Sequence, residues 1–418
     1  MRQGTGYRRC GKISNRSSYG RTRMTQYTPT QKRIKRHVIG REHTFFATTP
    51  PGLESLCAQE IATLPTDIKD AEIVPGGVEF RCRLAGCYAA NLHLRIPNRI
   101  LMRLTDFKAT NFRQLEKKVL QFPWELHLSP SSELDFSVKT RHSRLFHTSA
   151  ITKRIETCIR QRIPSPSSGK PGLSKKKDRQ RLYVRAVDDH LFLSLDSSGE
   201  LLFKRGLKHD VGKAPIRETL AAAILKLTGY DGSQPLLDPM CGSGTFSLEA
   251  AMLAGNIPPG FYRDFAFMKW PAFREPQWHH LKQKAANDIM RITSPLIFTS
   301  DQDMKRTTEL KKISGKFEWL HGVQVDTHDF FRLTPRDVTE TPGILVLNPP
   351  FGVRLNSNDK PKTFYRDILK KLSKDFRHWQ IAILVKDQTI VRRFPSNFKR
   401  YPLFHGGIDL VLLIGIFN

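Results

Sequence analysis

From His43 onward the chain alternates between short apolar runs and stretches whose apolar residues recur every three or four positions, which separates strands from helices. His43-Thr-Phe-Phe-Ala-Thr reads as a strand, and Pro51 to Ile61 as a helix opened by proline. Val78-Glu-Phe-Arg-Cys is a strand, Leu84 to His93 a helix, and Arg99 to Thr105 a strand that closes a small α+β unit. A helix over Phe112 to Gln121, a strand over Glu133 to Lys139 and a helix over Thr148 to Gln161 follow. Arg181 to Val187 and His190 to Asp196 then form a hairpin. Between helix and hairpin, residues 163–180 hold proline, serine, glycine and Lys175-Lys-Lys177, the mark of a solvated loop.

Beyond Leu202 the rhythm changes. Leu202-Phe-Lys-Arg-Gly reads as a linking strand and Ala214 to Leu227 as a helix containing Pro215 near its start. Strands over Leu236 to Asp238, Leu296 to Asp301, Val323 to Asp326, Ile344 to Leu347 and Ile381 to Val385 are interleaved with helices. Those helices run from Thr245 to Gly255, from Asp301 to about Ile313, and from Phe364 to Leu372. Repeated βα units predict a parallel sheet with helices on both faces. Lys399 to Phe404 and Ile408 to Phe417 have no helix between them, so the sheet ends in an antiparallel hairpin. The fold class is α/β: a Rossmann-like, mainly parallel seven-stranded sheet behind an α+β module. The expected segments are a basic flexible arm (1–42), two α+β parts (43–105 and 106–200) and the α/β domain (201–418).

Charge changes the picture. The 418 residues carry 68 Lys plus Arg against 39 Asp plus Glu, a net charge of +29 that points to a polyanionic partner, most often nucleic acid. Arg141, Arg144, Lys204 and Arg205 are the candidate nucleic-acid contacts. No apolar run is long enough to span a bilayer. Cys10, Cys57, Cys82, Cys87, Cys158 and Cys241 form no Cys-x-x-Cys, so a metal site and a disulfide framework are disfavoured. A reducing, cytoplasmic setting fits. Residues 1–41 lack Asp and Glu and are rich in Arg and Ser. They read as a basic tail, with a transit segment or an extension upstream of a start at Met24 as alternatives.

The candidate chemistry lies at strand ends, where open parallel sheets bind ligands. Pro235-Leu-Leu-Asp-Pro-Met-Cys-Gly-Ser-Gly244 is strand, tight turn and helix start, with Gly242 and Gly244 allowing close approach to a ligand. Met240, Cys241, Ser243 and Thr245 belong to the same loop. Asp238 ends the first strand, Asp301 the second, and Asp329 follows the third beside Phe330 and Phe331. An acid after the second strand suits a ribose diol, and one after the third suits an adenine amine, so the constellation fits an adenosine-bearing cofactor. There is no third glycine for a dinucleotide fingerprint, since position 247 is Ser. Asn348-Pro349-Pro350-Phe351 supplies the other half. The Asn348 side-chain oxygen and the Pro349 carbonyl can accept both hydrogens of a planar exocyclic amine, and Phe351 offers a face for the base.

These motifs resemble the class I, S-adenosylmethionine-dependent amino-methyltransferases. More narrowly, the chain is similar to the THUMP-domain guanine-N2 RNA methyltransferases that act on 23S ribosomal RNA and on tRNA. Lys204-Arg-Gly206, Ala214-Pro-Ile-Arg-Glu-Thr219, Phe265-Ala-Phe and Trp270 match as well. In the front half, Thr48-Thr-Pro-Pro-Gly-Leu-Glu54 resembles the ferredoxin-like part and His142 to Thr148 the THUMP part. The resemblance covers His43 to Asn418 and implies that Asp238, Gly242, Gly244, Asp301 and Asp329 contact the cofactor while Asn348 to Phe351 hold the target amine. Phe351 stands where Tyr is common, and Gln302 where the family often has an apolar residue. The second methyltransferase domain of some fused relatives is not in this sequence, which implies one modification. The expected activity is methylation of guanine N2 in structured RNA, with 23S ribosomal RNA ranked before tRNA. Adenine-N6 methylation of DNA and a non-enzymatic RNA-binding assembly factor remain as alternatives.

Overall fold

The computed structural model describes residues 27–164, 179–207, 216–292, 296–350 and 361–418. Its front half contains strands β1 (His43–Thr48), β2 (Lys69–Val74), β3 (Gly77–Cys82), β4 (Arg99–Lys108), β5 (Leu134–Arg141), β6 (Gln180–Val187) and β7 (His190–Asp196). They form one seven-stranded sheet in the order β2-β3-β1-β4-β7-β6-β5. Alternation builds its core face: Val78, Phe80 and Cys82 of β3 meet Phe45 and Ala47 of β1, all buried. β4 is the seam. Its first residues pair with β1, the rest pair with β7, and the register shifts between Arg103 and Thr105. The expected boundary after Thr105 therefore falls inside a strand shared by both α+β parts. β2 escapes sequence reading because its residues are almost all exposed and half of them charged, as suits an edge strand.

Part of the stretch expected to be a flexible arm is helical. Pro29–Ile34 is α-helical and Lys35–Ile39 continues as a π-helix. Thr28 and Gln31 form a capping box, Ile34 and Val38 are buried one turn apart, and Arg33 pairs with Glu125 at 2.9 Å. A single apolar pair in a basic stretch gives little periodicity, so the docking was invisible before the partner surface was known. The expected linking strand over Leu202 to Gly206 is also absent: these residues form turns. Their carbonyls are taken by guanidinium groups instead of a ladder, Arg263 donating to Leu201 O and Lys204 O and Arg205 to Leu202 O.

The back half contains β8 (Leu236–Asp238), β9 (Ile297–Asp301), β10 (Val323–Thr327), β11 (Ile344–Leu347), β12 (Gln380–Val385), β13 (Lys399–His405) and β14 (Ile408–Ile416). Their order is β10-β9-β8-β11-β12-β14-β13. The first five are parallel, and β14 and β13 add antiparallel to them and to each other. Fully apolar runs such as β11 are buried on both faces, under helices Thr245–Ala254, Met304–Ser314 and Pro361–Asp375 among others. The chain leaves β8 toward β9 and returns to β11 on its other side, so the topological switch lies at β8.

The halves are locked by buried charge. Glu249, on helix Thr245–Ala254, pairs with Arg205 at 2.8 Å and with Arg95 of the front half at 3.6 Å. Arg95 also donates to Met252 O and Ile257 O at the end of that helix. Glu60 accepts from the backbone of Arg95 and Ile96, which fixes the loop that presents the guanidinium.

Candidate active site

β8 and β11 are parallel neighbours, with Leu237 opposite Leu345, so the loops that follow them open on the same edge of the sheet. Asn348 leaves β11 half-buried, Pro349 is buried and Pro350 half-buried. Phe351 lies outside the described residues. Nothing intervenes between β8 and β11 in the sheet, so the glycine loop and the Asn-Pro-Pro turn leave its edge side by side.

The glycine loop is held from beneath. Asp238 is buried, and its Oδ2 accepts from Ser247 Oγ at 2.8 Å, with Thr299 Oγ1 2.7 Å from the same hydroxyl. Cys241 N donates to Ser300 O, which stitches the loop to β9, and Gly244 N returns to Cys241 O. Gly242 and Gly244 take left-handed conformations at φ 55° and 70°. At Gly244 the need is also steric, because a Cβ would sit 2.6 Å from the Leu310 methyls. Ser243 and Thr245 hydroxyls lie 3.3 Å apart at the helix start, and Met240 is half-buried. Burial pushes the Cys241 thiol well above its ordinary pKa, so it is a packing group and not a nucleophile.

Asp301 lies at the end of β9, half-buried, accepting Gly242 N on Oδ2 at 2.9 Å and Asp303 N on Oδ1 at 3.0 Å. Each oxygen keeps a further lone pair, so the carboxylate can brace the loop and still accept from a diol. Asp329 follows β10, and its Oδ1 accepts Phe331 N at 3.0 Å. Phe330 is buried, whereas Phe331 is 38% exposed and meets Phe364 edge-on at 5.7 Å. The three acids thus stand at the ends of three neighbouring strands, in the order that an adenosine-bearing ligand requires. Arg306 was not singled out from the sequence. Its Nη1 would lie 3.2 Å from a Cβ on Gly242, and its Nε is 3.2 Å from Asp303, so it borders the glycine loop. A helix-surface arginine carries no distinguishing sequence signal, which is why it was missed.

Of the candidate RNA contacts, Arg141 and Arg144 are exposed, Arg144 with its Nε 3.5 Å from Asp189, and Lys204 is exposed beside Glu200 at 2.8 Å. Arg205 is a correction. It is 4% exposed, and its guanidinium is committed to Glu249, Leu202 O and Arg95 O, so it holds the halves together and cannot meet a phosphate. The lone Glu249 inside an apolar helix was the sequence signal for a buried cation. Among the described residues no cluster of His, Cys, Asp or Glu has metal-binding geometry, and no helix is long and apolar enough to cross a membrane.

Comparison with known proteins adds a family to this geometry. Residues 205–414 match the UPF0020 model, "RMKL-like, methyltransferase domain". Residues 44–101 match the RlmL ferredoxin-like domain and 109–196 the THUMP domain. The "Putative RNA methyltransferase slr0064" of Synechocystis sp. is 30% identical over 88% of this chain and 95% of its own length. The "Ribosomal RNA large subunit methyltransferase K/L" of Cellvibrio japonicus is 31% identical over 90% of this chain but 51% of its own length, so the chain spans about half of that relative. Among solved structures, SMU.472, "a putative methyltransferase complexed with SAH", is 26% identical with a TM-score of 0.79, covering 90% of this chain and 99% of its own. SAH is S-adenosylmethionine without its methyl group, so that neighbour was solved with the spent form of a methyl donor. The residues here fit it: two left-handed glycines beside an acid with spare lone pairs, at the switch point of the sheet. The chain therefore belongs to the RMKL-like methyltransferase family, alongside those RNA methyltransferases, with ferredoxin-like and THUMP modules ahead of a class I methyltransferase domain.

Proposed function

We propose that this protein methylates the exocyclic N2 amine of a guanine in structured RNA, with 23S ribosomal RNA as the substrate. The observation that carries the reading is the parallel pairing of β8 with β11, which puts the glycine loop and Asn348-Pro349 on one edge. S-adenosylmethionine supplies an electrophilic methyl group. Asp238, Met240 to Thr245, Asp301 and Asp329 are the residues that hold the cofactor. Asn348 Oδ1 and the Pro349 carbonyl accept the two amine hydrogens, which draws the nitrogen lone pair out of conjugation and aims it at the methyl group. Pro349 and Pro350 stiffen the turn, so little reorganisation accompanies the attack. Phe351 stacks on the base once it has left its helix. No side chain has to remove a proton before transfer.

The excess of positive charge and the THUMP match support RNA as the partner. Arg141, Arg144 and Lys204 contact its backbone. All five described cysteines are free and buried, which suits the reducing cytoplasm. The test is transfer of tritium from labelled cofactor to 23S ribosomal RNA, followed by nucleoside mass analysis. N2-methylguanosine, lost in Asn348→Ala while calorimetry shows unchanged cofactor binding, is the expected result. Equal labelling by the variant would overturn the mechanism. Label appearing in tRNA or as N6-methyladenine in DNA would replace the substrate.

A further inference from the structure

The tip of the β13–β14 hairpin is an element that the cofactor and Asn348 leave unexplained. Register places it. Val385, the last residue of β12, is opposite Val411 of β14, and β14 begins at Ile408, three residues further out. At about 3.4 Å per residue the hairpin rises roughly 10 Å beyond the end of β12, on the edge where Asn348 leaves β11. The sheet order puts β12 next to β11 and β14 next to β12, so this tip stands two strands, on the order of 10 Å, to one side of the Asn-Pro-Pro turn.

Its surface is unusual for a solvated turn. Phe404 is 52% exposed and Ile408 36%, while Leu403 and Leu410 turn inward and anchor the hairpin. Gly406 and Gly407 make the turn with left-handed φ of 60° and 82°, and neither has an atom within 4 Å of where a Cβ would be. Lys386, Arg392 and Arg393 are exposed in the connection from β12 to β13, against the exposed Asp409 opposite Phe404. The front half reaches the same place: a Cβ on Gly52 would lie 3.6 Å from Pro402 O, two residues below Phe404. The tip and the Asn-Pro-Pro turn thus lie on the same edge of the sheet, beside the front half.

We propose that Phe404 is a stacking platform for an unpaired RNA base flanking the target nucleotide, with Lys386 near the phosphate. Flipping a guanine out leaves its neighbour's face bare, and an exposed aromatic at the rim covers that face without reading its identity. The inference rests on the proposed RNA methylation. Its test therefore uses two readouts on 23S ribosomal RNA: equilibrium binding, and kcat/KM for methyl transfer.

Because stacking on an aromatic is worth roughly 1–3 kcal/mol per base, Phe404→Ala should lower kcat/KM by about 5- to 150-fold. RNA affinity should fall in parallel, with cofactor affinity and unfolding midpoint unchanged. Phe404→Trp should stay within about threefold of the parent, and Phe404→Leu should resemble Phe404→Ala. The same activity and RNA affinity in Phe404→Ala as in the parent, or full rescue by Leu, would overturn the platform while leaving the methylation reading intact. A parent protein that methylates no RNA would sink the reaction instead, and loss of RNA affinity in Phe404→Ala would still support the platform.

Discussion

At the scale of single residues, the glycine loop shows why each position has little freedom. Gly244 combines a left-handed φ of 70° with a Leu310 methyl 2.6 Å from the missing Cβ. Gly244→Ala should therefore cost more than the ~1 kcal/mol of a left-handed alanine alone, through the clash with helix Met304–Ser314. Calorimetry should show cofactor affinity falling at least tenfold, and thermal unfolding should show a lower midpoint. Asp301 is less simple, because it accepts a backbone N–H of the loop it would share with the cofactor. Asp301→Asn keeps one acceptor oxygen but presents a donor to the other partner. It should weaken cofactor binding without unfolding the domain, and a midpoint shift as large as that of Gly244→Ala would argue that bracing is its only role.

At the scale of elements, the helix from Pro29 to Ile39 is held by two buried aliphatics and by Glu125, which also takes Arg162 at 2.8 Å. Hydrogen bonding from Arg162, with help from Arg33, pulls the Glu125 carboxyl down from 4.5 to about 2. A carboxyl depressed by folding stabilises above its ordinary pKa, so this contribution is complete above about pH 4.5 and fades toward pH 2. Glu125→Gln should loosen the helix at neutral pH. Hydrogen exchange over residues 29–39 should quicken while exchange in β1 stays slow, and unchanged protection of the helix would show that Ile34 and Val38 suffice.

At the scale of the whole molecule, Arg95, Arg205 and Glu249 join the front half to the helix that follows the glycine loop. All three are buried, and removing one partner of such a set typically costs about 3–5 kcal/mol because the others are left uncompensated. Glu249→Gln should lower the unfolding midpoint markedly, and Arg95→Met should separate two thermal transitions where the parent shows one. A single unshifted transition would mean the halves are docked by apolar contact alone. Acid should act on the same whole. Burial holds His93 and His127 down to about 4, from 6.5, so both are neutral in the folded protein. The unfolded chain takes up those protons first, so stability present above pH 6.5 declines as pH falls toward 4 and then stops declining on their account. Denaturant midpoints between pH 7 and 4 measure it.

The sequence by itself determined the two-part architecture, the parallel character of the back-half sheet with its closing hairpin, and both site motifs. Those features are local: βα alternation, a Gly-x-Gly at a helix start and a proline-stiffened turn each announce themselves within ten residues. Only the tertiary structure decided which strand ends are neighbours, that β4 belongs to both front parts, and that helix Pro29–Ile34 is docked. It also decided that Arg205 faces Glu249 and not solvent, and that Phe404 stands on the edge where Asn348 leaves β11. The reason is physical. A residue's period and chemistry are written in its neighbours along the chain, whereas burial and pairing depend on segments tens of residues or more away.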